Sequence, residues 1–440
     1  MKQYVWQELN SAAREAILHR PALVEDECLQ AEVGRILDRV RRDGDRALAE
    51  LTEELDGVRP SGISATADEF AAAQGALTAG QHEALAAAAA NIRSFHKAQV
   101  PRPILVETAP GVVCERVIRP IESVGLYVPA GSVPLPSTAL MLAIPAELAG
   151  CRTRILCTPP QTDGRADPSV LLAARFCGVQ RVFKLGGAQA VAAMAYGTET
   201  VPKVKKIFGP GNTWVTEAKA QAAQDPQGAA RDMPAGPSEV LVIADDAANP
   251  AFVAADLLSQ AEHGPDSQVM LVTTSEAVCA ATLNQLAEQQ AGLSRRDIIS
   301  VSLESSAAVL VDDLDTAMEV ANRYAPEHLI LQIENPRSRL DDVQAAGSVF
   351  LGPWAPESVG DYCSGTNHVL PTYGFARSYS SLGVNDFLRS MTVQELTPAG
   401  LEAVGPIAET LADLEGLDAH GQAVRQRLDR LARDKIGSSS

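Results

Sequence analysis

From about residue 104 onward the chain alternates two textures, and that alternation constrains it most. Short apolar runs rich in β-branched residues are followed by longer, Ala-rich runs of helical period. The short runs include RILCTP (154–159), RVFKLGG (181–187), KKIFGPG (205–211), EVLVIAD (239–245), SQVMLVT (267–273), DIISVSL (297–303) and HLILQI (328–333). They are apolar continuously rather than at every second position. A strand of that kind must be covered on both faces, which a parallel sheet flanked by helices provides. The Pro/Gly-rich stretch DPQGAARDMPAGP (225–237) divides the alternation into two series. The chain is therefore expected to be α/β, with two similar lobes built on parallel sheets.

The flanks read differently. Segments 27–42, 44–56 and 79–99 have helical period, so the first hundred residues are expected to be nearly all helix. The N-terminus, up to Pro21, reads as one amphipathic helix. Residues 346–383 are rich in Gly, Pro and Ser, and a loop of that length is usually functional or interfacial. Two helices, near 397–415 and 418–434, form an appended tail, and the terminal Ser438–Ser440 reads as frayed.

Composition removes several function classes. With 37 basic and 55 acidic residues the formal charge is −18, and aromatic residues make up 4%. An acidic chain with no Lys/Arg block and few aromatics suits neither nucleic acid nor an anionic membrane. The best apolar stretch, ALMLAIPAELAG (139–150), is too short to span a bilayer and carries Pro145 and Glu147. Seven scattered cysteines without a CxxC pair suit reduced thiols in a cytoplasm. Cys114 and Cys151 read as packed thiols rather than nucleophiles.

Seven histidines narrow the search for chemistry. His19, His82 and His96 lack acidic or thiol partners at ligand spacing. Gln260 and His263, at i and i+3, share a face at the end of a helix, where partial negative charge favours a cation. A histidine merely capping that helix fits the motif better when it is taken alone. Glu327-His328, after Pro326, offers two proton acceptors of different basicity, though a solvated loop pair fits the motif somewhat better when it is taken alone. Asp361, Cys363 and His368 lie in the long loop. Glu415, Asp418 and His420 lie in the tail, with Asp418 as an N-cap and His420 in the first helical turn. Gln, His and Asp are borderline or hard ligands suited to Zn²⁺ or Mn²⁺. No GxGxxG, GxxxxGK[ST] or GxSxG motif occurs. KLGGAQA (184–190) and FGPGNTW (208–214) could hold a phosphate at a helix N-terminus or be ordinary tight turns.

Longer motifs carry a resemblance. VGLYVPAGSVPLPST (124–138), KLGGAQAVAAMAYGT (184–198), FGPGNTWVTEAKAQ (208–221), DMPAGPSEVLVIAD (232–245), DLLSQAEHGPDSQ (256–268), NRYAPEHLIL (322–331), the whole of 347–387 and EGLDAHGQAVRQR (415–427) resemble, in that order, the histidinol dehydrogenase family. The chain departs from common family residues at Thr213-Trp214 and Ala130, none of them a carried-over site residue. The resemblance implies incomplete Rossmann-like lobes with helical N-terminal and C-terminal extensions. It divides the chain into a helical extension (1–25), a discontinuous lobe (26–129 with 240–382), a second lobe (130–239) and a helical tail (383–440) that reaches a partner subunit. It implies a cytoplasmic homodimer, with one Zn²⁺ per subunit, oxidising L-histidinol to L-histidine in two NAD-dependent steps through a bound aldehyde. The implied zinc ligands are Gln260, His263, Asp361 and His420. Glu327 and His328 are the implied acid/base pair, Ser238 and Glu415 substrate contacts alongside those six, and Tyr127, Gln189 and Asn212 cofactor contacts. A zinc hydrolase using Glu327, or an oxidoreductase acting on another small amino alcohol, is the competing expectation.

Overall fold

The computed structural model describes residues 1–20, 27–59, 62–130, 133–234 and 236–437. The boundary expected at 25/26, the helix stop at Pro21 and the terminal Ser438–Ser440 lie outside them. The chain separates into two compact units, Met1–Gln99 with Ile121–Phe387, and Val100–Pro120 with Leu388–Ser440.

In chain order the first unit begins with β1 (Lys2–Val5), α1 (Ser11–Leu18), α2 (Glu27–Asp56), α3 (Ala67–Ala76) and α4 (Ala79–Lys97). The second unit's hairpin, β2 (Ile104–Ala109) and β3 (Val112–Pro120), follows. The first unit resumes with β4 (Ser123–Tyr127), α5 (Pro136–Ala149), β5 (Thr153–Thr158), α6 (Pro168–Phe176), β6 (Arg181–Lys184), α7 (Gly187–Tyr196), β7 (Lys206–Phe208), α8 (Thr213–Gln224) and β8 (Ala230–Arg231). A second series runs β9 (Glu239–Ala244), α9 (Pro250–Ala261), β10 (Gln268–Thr273), α10 (Glu276–Gln290), α11 (Arg296–Glu304), β11 (Ala307–Leu310), α12 (Leu314–Tyr324), β12 (His328–Gln332), β13 (Ser348–Leu351) and α13 (Glu357–Tyr362). The second unit closes the chain with β14 (Leu388–Leu396), α14 (Pro398–Glu415) and α15 (Asp418–Gly437).

Both sheets of the first unit are parallel, and both follow one winding. The five-stranded sheet is ordered β6-β5-β4-β7-β8, and the six-stranded sheet β1-β11-β10-β9-β12-β13. Counting strands from β4 in one and from β9 in the other, each reads 3-2-1-4-5, the order of doubly wound nucleotide folds, with β1 added at the edge of the second beside β11. Their central strands are buried along their whole length, as continuously apolar sequence requires. No helix among the described residues is long and apolar enough to cross a membrane.

Several expectations are corrected here. The N-terminus is not one helix. Lys2–Val5 forms an edge strand in register with Ala307–Leu310, because a parallel edge offers backbone partners that an isolated turn lacks. DIISVSL is helical within α11: Ile299 and Leu303, four residues apart, are buried while Val301 is exposed. The strand comes after it, at Ala307. Residues 346–383 contain β13 and α13. The helical tail opens on a strand, β14, which pairs antiparallel with β3 in the three-stranded sheet β14-β3-β2. The expected lobe boundaries also move. In α2, Val33, Ile36, Leu37, Val40, Leu48 and Leu51 form a stripe packed on Ile155, Val191 and Ala218, so residues 27–56 cover the five-stranded sheet. The same sheet takes β4 as its central strand.

Candidate active site

One cavity of about 800 Å³ lies where the carboxyl end of the five-stranded sheet meets the amino end of the six-stranded one, and nine of the eleven expected site residues line it. Tyr127 ends β4, Gln189 opens α7 after β6, and Asn212 caps α8 after β7. Ser238 precedes β9, Gln260 and His263 sit at the end of α9, Glu327-His328 enter β12, and Asp361 lies on α13. The other two, Glu415 and His420, belong to the second unit, where both are exposed, at the end of α14 and in the first turn of α15.

The carboxyl-end side is built by helix N-termini. Gly209 has φ +128°, and a Cβ there would come within 2.1 Å of the Tyr127 carbonyl oxygen, so only glycine turns the chain at this point. Its N–H donates to Asp232 Oδ2 at 2.7 Å, and its carbonyl accepts from Lys219 Nζ at 2.8 Å; Lys219 and Asp232 are themselves a buried ion pair. That network presents Asn212, whose Oδ1 accepts from the Val215 N–H at 3.1 Å and caps α8. The Tyr127 hydroxyl accepts from the Gly187 N–H at 3.1 Å at the start of α7.

The amino-end side is held by the backbone of one residue. Helix α12 ends on Ala325 with φ +52°, and Pro326 then delivers Glu327 ahead of the regular strand. The rule that neighbouring strand residues point apart therefore does not apply, and both side chains reach the cavity. Glu327 Oε2 accepts from the Glu239 N–H at 2.9 Å, while His328 Nδ1–H donates to the Glu239 carbonyl at 3.0 Å. That bond fixes the tautomer and leaves Nε2 as the basic atom, 3.5 Å from Asp361 Oδ1. Glu239 is pinned in turn by the Arg20 guanidinium and the Tyr373 N–H. Arg20 also donates to the Tyr324 and Ala325 carbonyls at 2.7 and 3.3 Å and lies over the Tyr324 ring.

Burial and charge set the proton affinities. Burial pushes the Glu327 carboxyl up to about 8. Burial opposes charge on His328, but Glu327 and Asp361 outweigh it and push the ring up to about 10. Burial also opposes ionisation of Asp361, yet His328 holds that carboxyl far below the ordinary range. Glu357, one helical turn before Asp361, is pushed up to about 8, chiefly by burial and then by Asp361. The ring of His263 is open to the cavity and accepts or donates at Ser238 Oγ, 3.0 Å away; crowding by the walls still lowers its pKa.

The expected metal ligands are partly gathered. Gln260, His263 and Asp361 share the cavity, and the fourth, His420, lies in the other unit. Gln260 is fully buried, and neither Oε1 nor Nε2 finds a hydrogen-bond partner among the described residues. Leaving both ends of a buried amide bare costs about 1–3 kcal/mol each, and a cation on Oε1 relieves part of it. The donor set of amide oxygen, imidazole and carboxylate fits a borderline divalent ion. Asp361 also belongs to a tight cluster with His328 and Glu357, whose ligand atoms all lie within 4.8 Å. Glu357 and the pinning residue Arg20 escape sequence reasoning. ESVGDY places Glu357 and Asp361 at i and i+4, a spacing visible only once the loop is known to contain a helix.

Comparison with known proteins bears on the whole chain. The family model described as histidinol dehydrogenase matches residues 19–428. A histidinol dehydrogenase of Vibrio parahaemolyticus is 54% identical over 435 residues, covering 99% of this chain and 100% of that protein. One of Xanthomonas axonopodis pv. citri is 56% identical over 428 residues, covering 97% and 99%. The crystal structure of histidinol dehydrogenase from Elizabethkingia anophelis superposes with a TM-score of 0.94 at 46% identity, covering 98% of this chain and 99% of that one.

Proposed function

The chain belongs to the histidinol dehydrogenase family, and from that premise we propose that it oxidises L-histidinol to L-histidine in two successive NAD-dependent steps, with one zinc ion per subunit. The observation that carries this reading is the convergence of the expected acid/base, ligand and cofactor side chains on one cavity. Gln260, His263 and Asp361 would hold the metal, with His420 supplied by a partner subunit. When bound, the metal would supply Lewis acidity and a fixed substrate orientation, and NAD an acceptor for hydride.

The chain's own residues divide the proton work. In the alcohol step the hydroxyl proton passes to Nε2 of His328, the one basic atom its tautomer leaves open; the ring acts in its neutral form, which a cation held by Asp361 would favour by offsetting the charge that raises the ring's proton affinity. In the aldehyde step a water must add to the carbonyl. Glu327 is the base for that water in its ionised form, through Oε1, because Oε2 is occupied by the Glu239 N–H; with burial pushing its carboxyl up to about 8, this step is expected to quicken as pH rises through that value. The Ser238 hydroxyl beside His263 contacts substrate, as does Glu415, again from a partner.

Exposed apolar surface on the second unit supports the homodimer. Ile407, Leu411, Leu414 and Leu417 form a stripe along α14 and its end, each more than a third exposed. Such a stripe on an amphipathic helix needs a cover, and a second copy of the chain is the proposed one. No disulfide joins any of the seven cysteines, in keeping with a cytoplasmic setting.

The test is stoichiometry. Two NADH formed per histidinol consumed supports the four-electron reaction; one, or none, overturns it. His328→Asn is expected to depress alcohol oxidation more than oxidation of supplied aldehyde, and Glu327→Gln the reverse. Equal losses would remove the division of labour. Zinc removal by a chelator should abolish turnover and zinc should restore it.

A further inference from the structure

In dinucleotide-binding sheets the second strand ends at an acidic side chain that accepts the hydroxyls of the adenosine ribose. In the five-stranded sheet that strand is β5, which runs out at Thr158 into Pro159-Pro160, with no acid there. A carboxylate stands there nonetheless, supplied from outside the winding. Asp56, the last residue of α2, lines the cavity together with Pro159, Gly187 and Gln189. It accepts from Gln189 Nε2 at 3.2 Å, and its Oδ1 lies 3.5 Å from where a Cβ on Gly186 would stand, at the N-terminus of α7.

Gln189 supplies the second observation. Its side chain is fully buried, and Oε1 has no hydrogen-bond partner among the described residues. A carboxylate and an amide oxygen therefore sit side by side in the cavity wall as acceptors. A vicinal diol brings two O–H donors, which match them.

The winding also says which end of a dinucleotide belongs here. Along the carboxyl edge the order is β7, β4, β5, β6. Asn212, after β7, shares a second cavity of about 210 Å³ with Ser238 and His263, so the reacting end lies on that side. Gln189, after β6, is three strand spacings away, ~14 Å.

We propose that Asp56 and Gln189 bind the ribose diol at the adenosine end of the cofactor, and that Asp56 makes the enzyme select NAD over NADP. The inference rests on the NAD reading above. A 2′-phosphate offers only acceptor oxygens and negative charge, which an acceptor-only carboxylate repels. The basic side chain lining the cavity, Arg295, donates to the His263 carbonyl, at the opposite end.

The experiment uses the full-length enzyme with saturating histidinol and compares NAD, NADP and NAD lacking the adenosine 2′-hydroxyl. For the wild type, NADP and the 2′-deoxy analogue should each raise KM ~10-fold or more over NAD, the loss of a hydrogen bond to a charged group. Asp56→Asn should raise KM for NAD ~10-fold with kcat little changed, narrow the NAD/NADP preference, and make the 2′-hydroxyl nearly neutral. A variant that melts lower but keeps the full preference and the full 2′-hydroxyl effect overturns the assignment, leaving Asp56 structural. The wild-type comparison with the 2′-deoxy analogue stands even if the variant does not fold, and no KM change there overturns the assignment as well. Wild type that reduces no NAD overturns the cofactor reading itself.

Discussion

Arg20 shows how far from the chemistry a single side chain can act. It touches no expected site residue, yet it pins Glu239, whose backbone holds both Glu327 and His328, and it caps the strained Ala325 turn that delivers them. Arg20→Met would strand the Glu239 carboxylate in a nearly dry position, with an expected loss of about 3–5 kcal/mol. Arg20→Lys should recover little, since a point charge cannot replace the fork. Urea unfolding of the two variants checks this; near-native stability in either overturns it. A second residue makes a pH prediction. Burial pushes Asp256 up to about 6, while Gln332 Oε1 beside it lacks a hydrogen-bond partner among the described residues. The folded state therefore binds the proton more tightly than the unfolded one. Stability from this group is full below about pH 4 and is lost as pH rises through 6. Asp256→Asn should be more stable than wild type by ~2 kcal/mol at pH 8, with no advantage near pH 4. Melting curves at the two pH values read the difference. Sequence reveals such residues unevenly. Glu327, His328 and Gln260 stand in distinctive motifs, whereas Arg20 and Asp56 acquire meaning only from partners more than a hundred positions away.

At the scale of elements, the turn after β7 carries the sharpest constraint. Gly209→Ala would drive a methyl into the Tyr127 carbonyl and loosen the Lys219–Asp232 network that presents Asn212. The expected cost is about 1–3 kcal/mol in stability, with a higher KM for NAD and little change in KM for histidinol. Equal changes in both KM values would show that the turn serves the fold rather than the cofactor. The parallel strands were legible because burial on both faces leaves an unbroken apolar run. DIISVSL misleads for the same reason: its short apolar run fits strand and helix alike, and the outcome depends on where α11 packs. Lys2–Val5 and β14 were hidden differently. Their pattern of exposed side chains carries little burial signal, and they are strands because a partner edge accepts them.

At the scale of the molecule, the chain repeats one winding twice and builds a single site from opposite ends of the two copies. The expected ligand His420 and the expected substrate contact Glu415, both in the tail, make a prediction about assembly. If tails are exchanged, co-expressing His420→Ala with Glu327→Gln chains should restore about a quarter of wild-type activity, because half the dimers are mixed and each has one intact site. No recovery would place each tail on its own subunit.

The second copy's own nucleotide crevice, between the carboxyl ends of β9 and β12, is sewn shut. Asp245 accepts from the Ala247 and Glu334 N–H groups at 2.9 Å each and donates its own N–H to the Gln332 carbonyl. If the cavity beside the five-stranded sheet is the berth for the dinucleotide, two oxidations would not draw on two cofactors at once. The enzyme would then behave as a turnstile: the half-oxidised substrate would wait inside while one cofactor left and another took its seat. Its grip on a reactive aldehyde then has to outlast an exchange at the neighbouring position, and a carbonyl-trapping reagent in the surrounding solution should capture almost none of it.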